Sequence, residues 1–344
     1  MPTSDPAELR REIMNAMQGA GRLHVAYVGI TNHLFDKLSE LGSANPEALA
    51  RAAERDPGYV LRWCDAAFAF ELLDLDDTGA FRLSALGAQF RPDAPATLMP
   101  FAVGTILGAH MAERASGLMK SGERPGEKVL AEQETVLPWF GAMLEAQFGS
   151  FFEEQILRAV PAYADVDERG GLAVDLGCGN GWYLRRLVRR FPHLRGVGLD
   201  GFEENVRQAR ELAQRERLTE RLEFRAGDLH HFSIDQEVDL LAMNRALHHV
   251  WTDKENVFRI LSQHLRVGGW AVIWEPAWPR DRAALRAPGS RPMAFQNLAE
   301  HVQGNHFLRP DEIADELERA GFEAEVHLFA EGREAVVAGR KRGS

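Results

Sequence analysis

Residues 174–181, which read VDLGCGNG, decide the fold, because an apolar strand runs directly into three alternating glycines. Glycine tolerates a positive φ and lets the backbone approach a ligand closely. An amphipathic helix follows, with apolar residues at Leu184, Leu187, Val188 and Phe191. Since the amide end of a helix favours an anionic group, this segment predicts a strand, a sharp turn and a helix that face the carboxylate of a cofactor.

Acidic residues distinguish this turn from that of a nicotinamide-dependent enzyme, which is also rich in glycine. The spacing is GxGxG instead of GxGxxG, and Asp175 lies two positions before the first glycine, where a carboxylate attracts a cationic ligand. Asp200 follows the next apolar run, a position that suits hydrogen bonds from ribose hydroxyls. Asp228 follows the third run, where it would accept a hydrogen bond from an adenine amino group.

The sequence around this turn alternates between short apolar runs and amphipathic helices. The apolar runs cover residues 172–176, 196–199, 222–225, 238–243 and 270–274. Such alternation predicts a parallel sheet with helices on both faces. The tail differs, because residues 323–328 and 335–338 flank a short turn and predict a closing antiparallel hairpin.

Residues 170–340 resemble the class I S-adenosylmethionine (AdoMet)-dependent methyltransferase family, which has its acid-rich glycine turn, ribose acid and adenine-side acid in this order. The resemblance implies a Rossmann-like α/β sheet with a C-terminal antiparallel hairpin, and AdoMet as the cofactor. The predicted cofactor contacts are Asp175, Gly177, Gly179, Asp200, Asp228, Leu229 and Asn244.

The candidate catalytic segment follows the fourth predicted strand and reads LAMNRALHHVWTD over residues 241–253. It resembles the His-Asp-Trp and Ser/Thr-Asp motif of small-molecule O-methyltransferases that carry a winged-helix dimerisation domain, in which the His is the general base. Alignment on Trp251 places His249 at that position, although Val250 replaces the Asp of the motif. The alternative is that His249 only lines the cofactor pocket. We interpret the neighbouring His248 as structural.

A second polar cluster follows the fifth predicted strand and supplies Trp278, Glu300 and His301 as candidate substrate contacts. The alternative interpretation is a helix with a solvated polar face. His249 and His301 would hold a metal ion if the chain resembled methyltransferases that act on the carbon of 2-oxo acids. The aspartate that those enzymes have after the first His is absent here, so we expect no metal.

The first 110 residues are predicted to form a mostly α-helical winged-helix domain, followed by a helical connector at residues 111–165 that would cover the substrate and a methyltransferase domain at residues 166–344. Within the connector, residues 121–128 are expected to form an exposed loop. Acids outnumber arginines between residues 43 and 92, and the helix that would read DNA is nearly all apolar. Such a surface repels phosphate, which favours a homodimerisation module over nucleic-acid binding.

The bulk composition is consistent with these predictions. The formal net charge of −11 disfavours a nucleic-acid partner. No apolar run is long enough to cross a membrane, and the N-terminus lacks the apolar core of a secretory signal. The two cysteines lack metal-site spacing, so a cytoplasmic location is expected.

The predicted function is methyl transfer from AdoMet to a small-molecule acceptor, with a hydroxyl or carboxylate oxygen favoured. The sulfonium already activates the methyl group, so the protein must chiefly position a nucleophile and remove its proton. Two alternatives stay open at this point. One is a metal-assisted C-methyltransferase of a 2-oxo acid, and the other is an AdoMet- or ligand-responsive regulator that binds DNA through the winged helix.

Overall fold

The computed structural model describes residues 5–132 and 135–343. The chain splits into two compact units, one formed by Met1–Met111 with Ala131–Ala146 and the other by Ala112–Leu130 with Gln147–Ser344. No helix in the described ranges has the length and apolar character that spanning a membrane requires. The division into three segments at residues 110 and 165 stays a prediction.

The helices and short strands that precede the large sheet follow one another along the first half of the chain. They are α1 (Pro6–Thr31), α2 (Leu34–Leu41), α3 (Pro46–Ala53), α4 (Pro57–Ala69), β1 (Leu73–Leu75), β2 (Phe81–Leu83), α5 (Ala85–Ala88), α6 (Met99–Leu118), α7 (Lys128–Ala131), α8 (Leu137–Phe151), a π-helical turn (Phe152–Ile156), α9 (Leu157–Ala159) and α10 (Pro161–Arg169).

Side-chain caps explain why α3 and α4 begin where they do. Asn45 caps α3 and Asp56 caps α4 by accepting hydrogen bonds from backbone amides, and a proline occupies the first turn of each helix. The antiparallel pair β1 and β2 follows α4. The inner face of α4 is buried in the core of its own unit, whereas Tyr59, Leu61 and Phe68 on the same helix are exposed.

The second unit contains a sheet that, in the described residues, has seven strands in the order β5-β4-β3-β6-β7-β9-β8. Its strands are β3 (Leu172–Leu176), β4 (Arg195–Asp200), β5 (Leu222–Ala226), β6 (Val238–Asn244), β7 (Leu265–Pro276), β8 (Phe322–Phe329) and β9 (Glu334–Lys341). Strands β3 to β7 are parallel, and β9 is antiparallel to both β7 and β8. The predicted fold class is therefore confirmed.

Helices connect the strands of the sheet, as the alternating pattern predicts. They are α11 (Trp182–Arg190), α12 (Glu203–Arg215), α13 (Lys254–His264), α14 (Arg291–Gln303) and α15 (Pro310–Arg319). Apolar side chains from β3, β6 and β7 form a buried core with α13 and α15. Because β3, β4, β5 and β6 run parallel, their carboxyl ends lie along one edge of the sheet, where open α/β sheets bind ligands.

Candidate active site

The glycine turn leaves β3 in a conformation that favours glycine. Gly177, Gly179 and Gly181 have φ values of 81°, 54° and 74°, and α11 begins directly afterwards at Trp182. A Cβ atom on Gly177 would lie 2.7 Å from the Cβ of Ala246. The amides of Gly177 and Cys178 donate to the carbonyl of Leu199 at 2.8 and 3.0 Å, which joins the turn to β4.

The Asp175 carboxylate is buried at the end of β3 and hydrogen-bonds to one neighbouring side chain. The amide nitrogen of Asn244, at the end of β6, donates to its Oδ1 at 3.0 Å. Burial raises the pKa of Asp175 to about 7. The side-chain oxygen of Asn244 is also buried, and within the described part of the chain it has no hydrogen-bond partner. A buried carboxylate beside an unpaired carbonyl oxygen suits a cationic ligand that carries N–H donors.

Asp200 ends β4 and holds the glycine turn from the other side. Its Oδ2 accepts from the amide of Gly179 at 2.8 Å, while its Oδ1 accepts from the amide of Phe202 and the side chain of Asn205, each at 3.0 Å. Burial raises the pKa of Asp200. Each carboxylate oxygen accepts more than one hydrogen bond, so Asp200 keeps the capacity to bind the hydroxyls of a ribose.

Asp228 follows β5 and caps a short 3₁₀ turn. Its Oδ1 accepts from the amide of His230 at 2.9 Å, and its Oδ2 lies 3.2 Å from the ring of His231. The backbone hydrogen bond from His230 lowers the pKa of Asp228. Leu229 is half-buried and packs against the core of the sheet. This capping role accounts for Asp228 structurally, so its contact with an adenine, like that of Leu229, stays a prediction.

His248 lies between two buried carboxylates. Its Nδ1 is 2.7 Å from the Oε2 of Glu275, its backbone amide donates to Oε1 of the same residue, and its Nε2 is 3.7 Å from the Oε2 of Glu300. Burial alone would lower the pKa of His248, but Glu275 and then Glu300 outweigh that effect and raise it to about 9. His248 is therefore a charged bridge at neutral pH, which supports a structural interpretation.

His249 is half-buried, and its ring lies against that of His248, with centroids 4.1 Å apart and the ring planes tilted by 36°. Its Nδ1 lies 3.0 Å from the Oε1 of Glu127 and 2.8 Å from the amide nitrogen of Asn305. Glu127 belongs to the segment expected to be an exposed loop, yet residues 125–127 are half-buried. Sequence reasoning missed this contact, because no motif connects Glu127 to a histidine so distant along the chain.

The candidate substrate residues lie in different environments. The carboxylate of Glu300 is buried and accepts from Gln303 at 2.9 Å. Burial would raise the pKa of Glu300, but the neighbouring imidazole of His248 holds it below its usual value. His301 is exposed, with its Nε2 3.2 Å from the Nε of Arg124. Trp278 is half-buried and donates its backbone amide to the carbonyl of Leu308. Their substrate contacts stay predictions, and Glu300 fits a positioning role better.

Three side chains of this site lie close enough together to share a ligand. Ligand atoms of His248, His249 and Glu300 lie within 4.8 Å of one another. The imidazole of His248 already lies between the carboxylates of Glu275 and Glu300, and these neighbours account for its position. We therefore interpret the cluster as a hydrogen-bonded ion network. His301, the ligand considered from the sequence, faces Arg124 instead.

Comparison with known proteins relates the site to one family. The family described as "Methyltransferase domain" matches residues 173–269. Among curated relatives, trans-aconitate 2-methyltransferase of Azoarcus sp. is 31% identical over 150 residues, which cover 42% of this chain and 56% of that protein. The chain thus spans about half the length of the curated relatives it matches.

Solved structures extend the similarity to almost the whole chain at the level of the fold. An O-methyltransferase family protein from Burkholderia thailandensis superposes with a TM-score of 0.73 at 18% identity, covering 99% of both chains. Human N-acetylserotonin methyltransferase in complex with S-adenosylmethionine gives a TM-score of 0.72 at 19% identity, with both chains fully covered. The helical first half and the mixed sheet are therefore the fold of these two-domain proteins.

Proposed function

We propose, from the match of residues 173–269 to the family described as "Methyltransferase domain", that this chain transfers the methyl group of AdoMet to an oxygen atom of a small molecule. The observation that carries the proposal is the polar network at the carboxyl ends of the strands. In it, Asp175, Asn244 and Asp200 surround the glycine turn. The comparisons support methyl transfer in general, whereas the oxygen acceptor and the catalytic base are our own inference.

The network fits AdoMet group by group. Asp175 and the unpaired oxygen of Asn244 would accept hydrogen bonds from the ammonium of its methionine part. The positive φ of Gly177 and Gly179 turns the chain sharply between β3 and α11, and the carboxylate of that part would bind near the amino-terminal end of α11. Asp200 would accept from the ribose hydroxyls, and Asp228 with Leu229 would lie at the adenine.

His249 is our candidate for the general base. The bound sulfonium supplies an activated methyl group, so the chain must position the acceptor and take up its proton. His249 is half-buried and hydrogen-bonded, which gives an imidazole both a fixed orientation and access to a ligand. Trp278 and His301 would contribute to the acceptor pocket. A metal-assisted C-methyltransferase would need His249 and His301 to face one metal ion, whereas His301 faces Arg124. A DNA-binding regulator would need a basic surface.

The first 110 residues are proposed to be a winged-helix module that joins two copies of the chain. Exposed apolar side chains follow one another along one stretch of α1, namely Leu9, Ile13, Met14 and Met17. A homodimer with a small-molecule substrate, in the cytoplasm and without nucleic acid, is therefore proposed. In the same proposal, the segment at residues 111–165 covers the substrate and residues 166–344 are the catalytic domain.

A panel of small hydroxy and carboxylic acids incubated with methyl-labelled AdoMet tests the proposed function. We expect label to reach an oxygen of at least one acceptor, and calorimetry to detect binding of AdoMet and of its demethylated product. Asp200→Ala should weaken AdoMet binding by about tenfold, since it removes both ribose acceptors. Heat with a nicotinamide dinucleotide and none with AdoMet would overturn the proposal.

A further inference from the structure

The loop that precedes α7 places one carboxylate directly on the candidate base. The Oε1 of Glu127 lies 3.0 Å from the Nδ1 of His249. The same loop makes a second contact with this unit through Arg124, whose Nε is 3.2 Å from the Nε2 of His301. Gly122 and Gly126, which lie on either side of Arg124 in the loop, both have positive φ. The position of Glu127 is therefore fixed by the path of the loop as well as by its own hydrogen bond.

Two groups of opposite hydrogen-bonding character share the Nδ1 of His249. The carboxylate of Glu127 only accepts hydrogen bonds, so its contact requires a proton on Nδ1. The amide nitrogen of Asn305, 2.8 Å from the same atom, only donates, so its contact requires a lone pair there. A neutral imidazole carries a proton on one ring nitrogen only. The two contacts thus favour opposite tautomers of His249.

We propose that Glu127 is a positioning residue that selects the tautomer of His249 with its proton on Nδ1. In this form Nε2 carries the lone pair and can accept the proton of the acceptor's hydroxyl group. When Glu127 is withdrawn, the amide of Asn305 favours the other tautomer, in which Nε2 is already protonated and cannot act as a base. The inference rests on the proposed function, because it assigns a role to the base of that reaction.

While the loop is in place, the negative charge of Glu127 makes its hydrogen bond to His249 stronger than that of Asn305. A hydrogen bond to an ionised carboxylate is stronger than one between neutral groups. The hydrogen bond to His249 lowers the pKa of Glu127 in spite of burial, so this carboxylate is charged at neutral pH. The amide nitrogen of Asn305 keeps a hydrogen-bond acceptor when Nδ1 of His249 is protonated, because it also lies 3.5 Å from the Oε2 of Glu300.

The proton transfer balances with this arrangement. The acceptor's oxygen would form a bond to the methyl carbon while the sulfur–methyl bond of AdoMet breaks, and the sulfur would keep that electron pair in the demethylated product. The acceptor's O–H bond would break as well, and its proton would move to Nε2 of His249. The ring then carries protons on both nitrogens, and its positive charge faces the Glu127 carboxylate at Nδ1. Glu127 itself gains no proton, which is the role of an orienting carboxylate beside a histidine base.

Nitrogen NMR of the histidine ring in the full-length protein tests the proposal without any acceptor. The two ring nitrogens of His249, assigned by their absence in His249→Ala, report which of them carries the proton. We expect Nδ1–H in the unmodified chain, a shift towards Nε2–H in Glu127→Ala, and recovery in Glu127→Asp. Glu123→Ala, an exposed glutamate of the same loop, is the matched control and should leave the signals unchanged. A proton on Nε2 in the unmodified chain, or no change in Glu127→Ala, overturns the inference.

The kinetics of methyl transfer give a second test. A merely structural role of Glu127 would not lower kcat while leaving the KM for AdoMet unchanged. Glu127→Ala should lower kcat by roughly tenfold to hundredfold with little change in the KM for AdoMet, and Glu127→Asp should restore part of the loss. Equal kcat in Glu127→Ala and Glu123→Ala would contradict the assignment. If the unmodified chain transfers no methyl group, the proposed function fails while the tautomer measurement still decides this inference.

Discussion

Asp175 must be negatively charged to bind a cation, but burial makes the charged form of its carboxyl group unfavourable. The side chain is 1% exposed, and burial raises its pKa to about 7. Asn244 offsets part of that cost through its hydrogen bond. A ligand with an ammonium group would stabilise the charged form further, so ligand affinity is obtained at the expense of the stability of the free protein.

The first prediction concerns Asp175→Asn, which removes the charge and keeps the shape. The pKa of Asp175 is raised from the ordinary value of 3.8 to about 7 in the folded chain. Between these two pH values the folded chain therefore keeps the proton of this carboxyl group, whereas the unfolded chain has lost it. The stability of the unmodified chain therefore falls as pH rises from about 4 to about 7. We expect the variant to gain stability relative to it across this window, by no more than roughly 4 kcal/mol.

Urea unfolding at several pH values measures the stability of the variant, and calorimetry measures its affinity for AdoMet. The variant should unfold at higher urea concentration above pH 7 and bind AdoMet more weakly. Asp77→Asn, at an exposed turn position, is the matched control and should change neither quantity. The quantity to compare is the difference in stability between the variant and the unmodified chain. If this difference is the same at pH 8 as at pH 4, the pKa of Asp175 is not raised by folding.

The sequence predicts some residues of the site but not the contacts between distant segments of the chain. Asp175, Gly177, Asp200 and Asn244 each lie at the end of an apolar run, and the parallel sheet brings those ends together. Their contacts with a cofactor stay predictions. The contact between Glu127 and His249 joins positions 122 residues apart and depends on the path of a loop. No periodicity or spacing encodes such a path, so the structure was needed to find it.

At the scale of elements, the predicted sheet agrees with the structure where the apolar runs are short and bounded. Strands β3 and β6 match their predicted runs within about one residue, whereas β7 begins at Leu265, five positions before the predicted run at 270. Arg266, Val267 and Gly268 are partly or fully exposed, so no continuous buried apolar run marks this part of the strand in the sequence. Pairing with β6 extends the strand instead.

The second prediction tests the glycine turn as a structural element. Gly177→Ala would place a Cβ atom 2.7 Å from that of Ala246, at a φ of 81° that alanine disfavours. We expect a loss of about 1–3 kcal/mol of stability and at least tenfold weaker binding of AdoMet, because the turn must move. Gly201→Ala is the matched control, since a Cβ there meets open space. Equal AdoMet affinity in the two variants would contradict the role of the turn.

For the molecule as a whole, charge and exposed apolar surface lead to different conclusions about its partners. A net charge of −11 opposes association with polyanions. The N-terminal helix α1 nevertheless exposes large apolar side chains that its own unit leaves uncovered, with Ile13 and Met17 more than half exposed. The fold class followed from the sequence, but the surface of α1 that stays exposed depended on how its own unit packs.

The third prediction is that this surface joins two copies of the chain. Leu9, Ile13 and Met17 are spaced four residues apart, so they lie on one face of α1. Replacing Ile13 and Met17 with glutamate should convert a dimer into a monomer, because like charges would be buried at the interface. Light scattering on both proteins measures the mass. Tyr59→Glu, an exposed aromatic position on α4, should leave the dimer intact. An unmodified chain that is monomeric at every concentration would contradict the prediction, and α1 would then need a different partner.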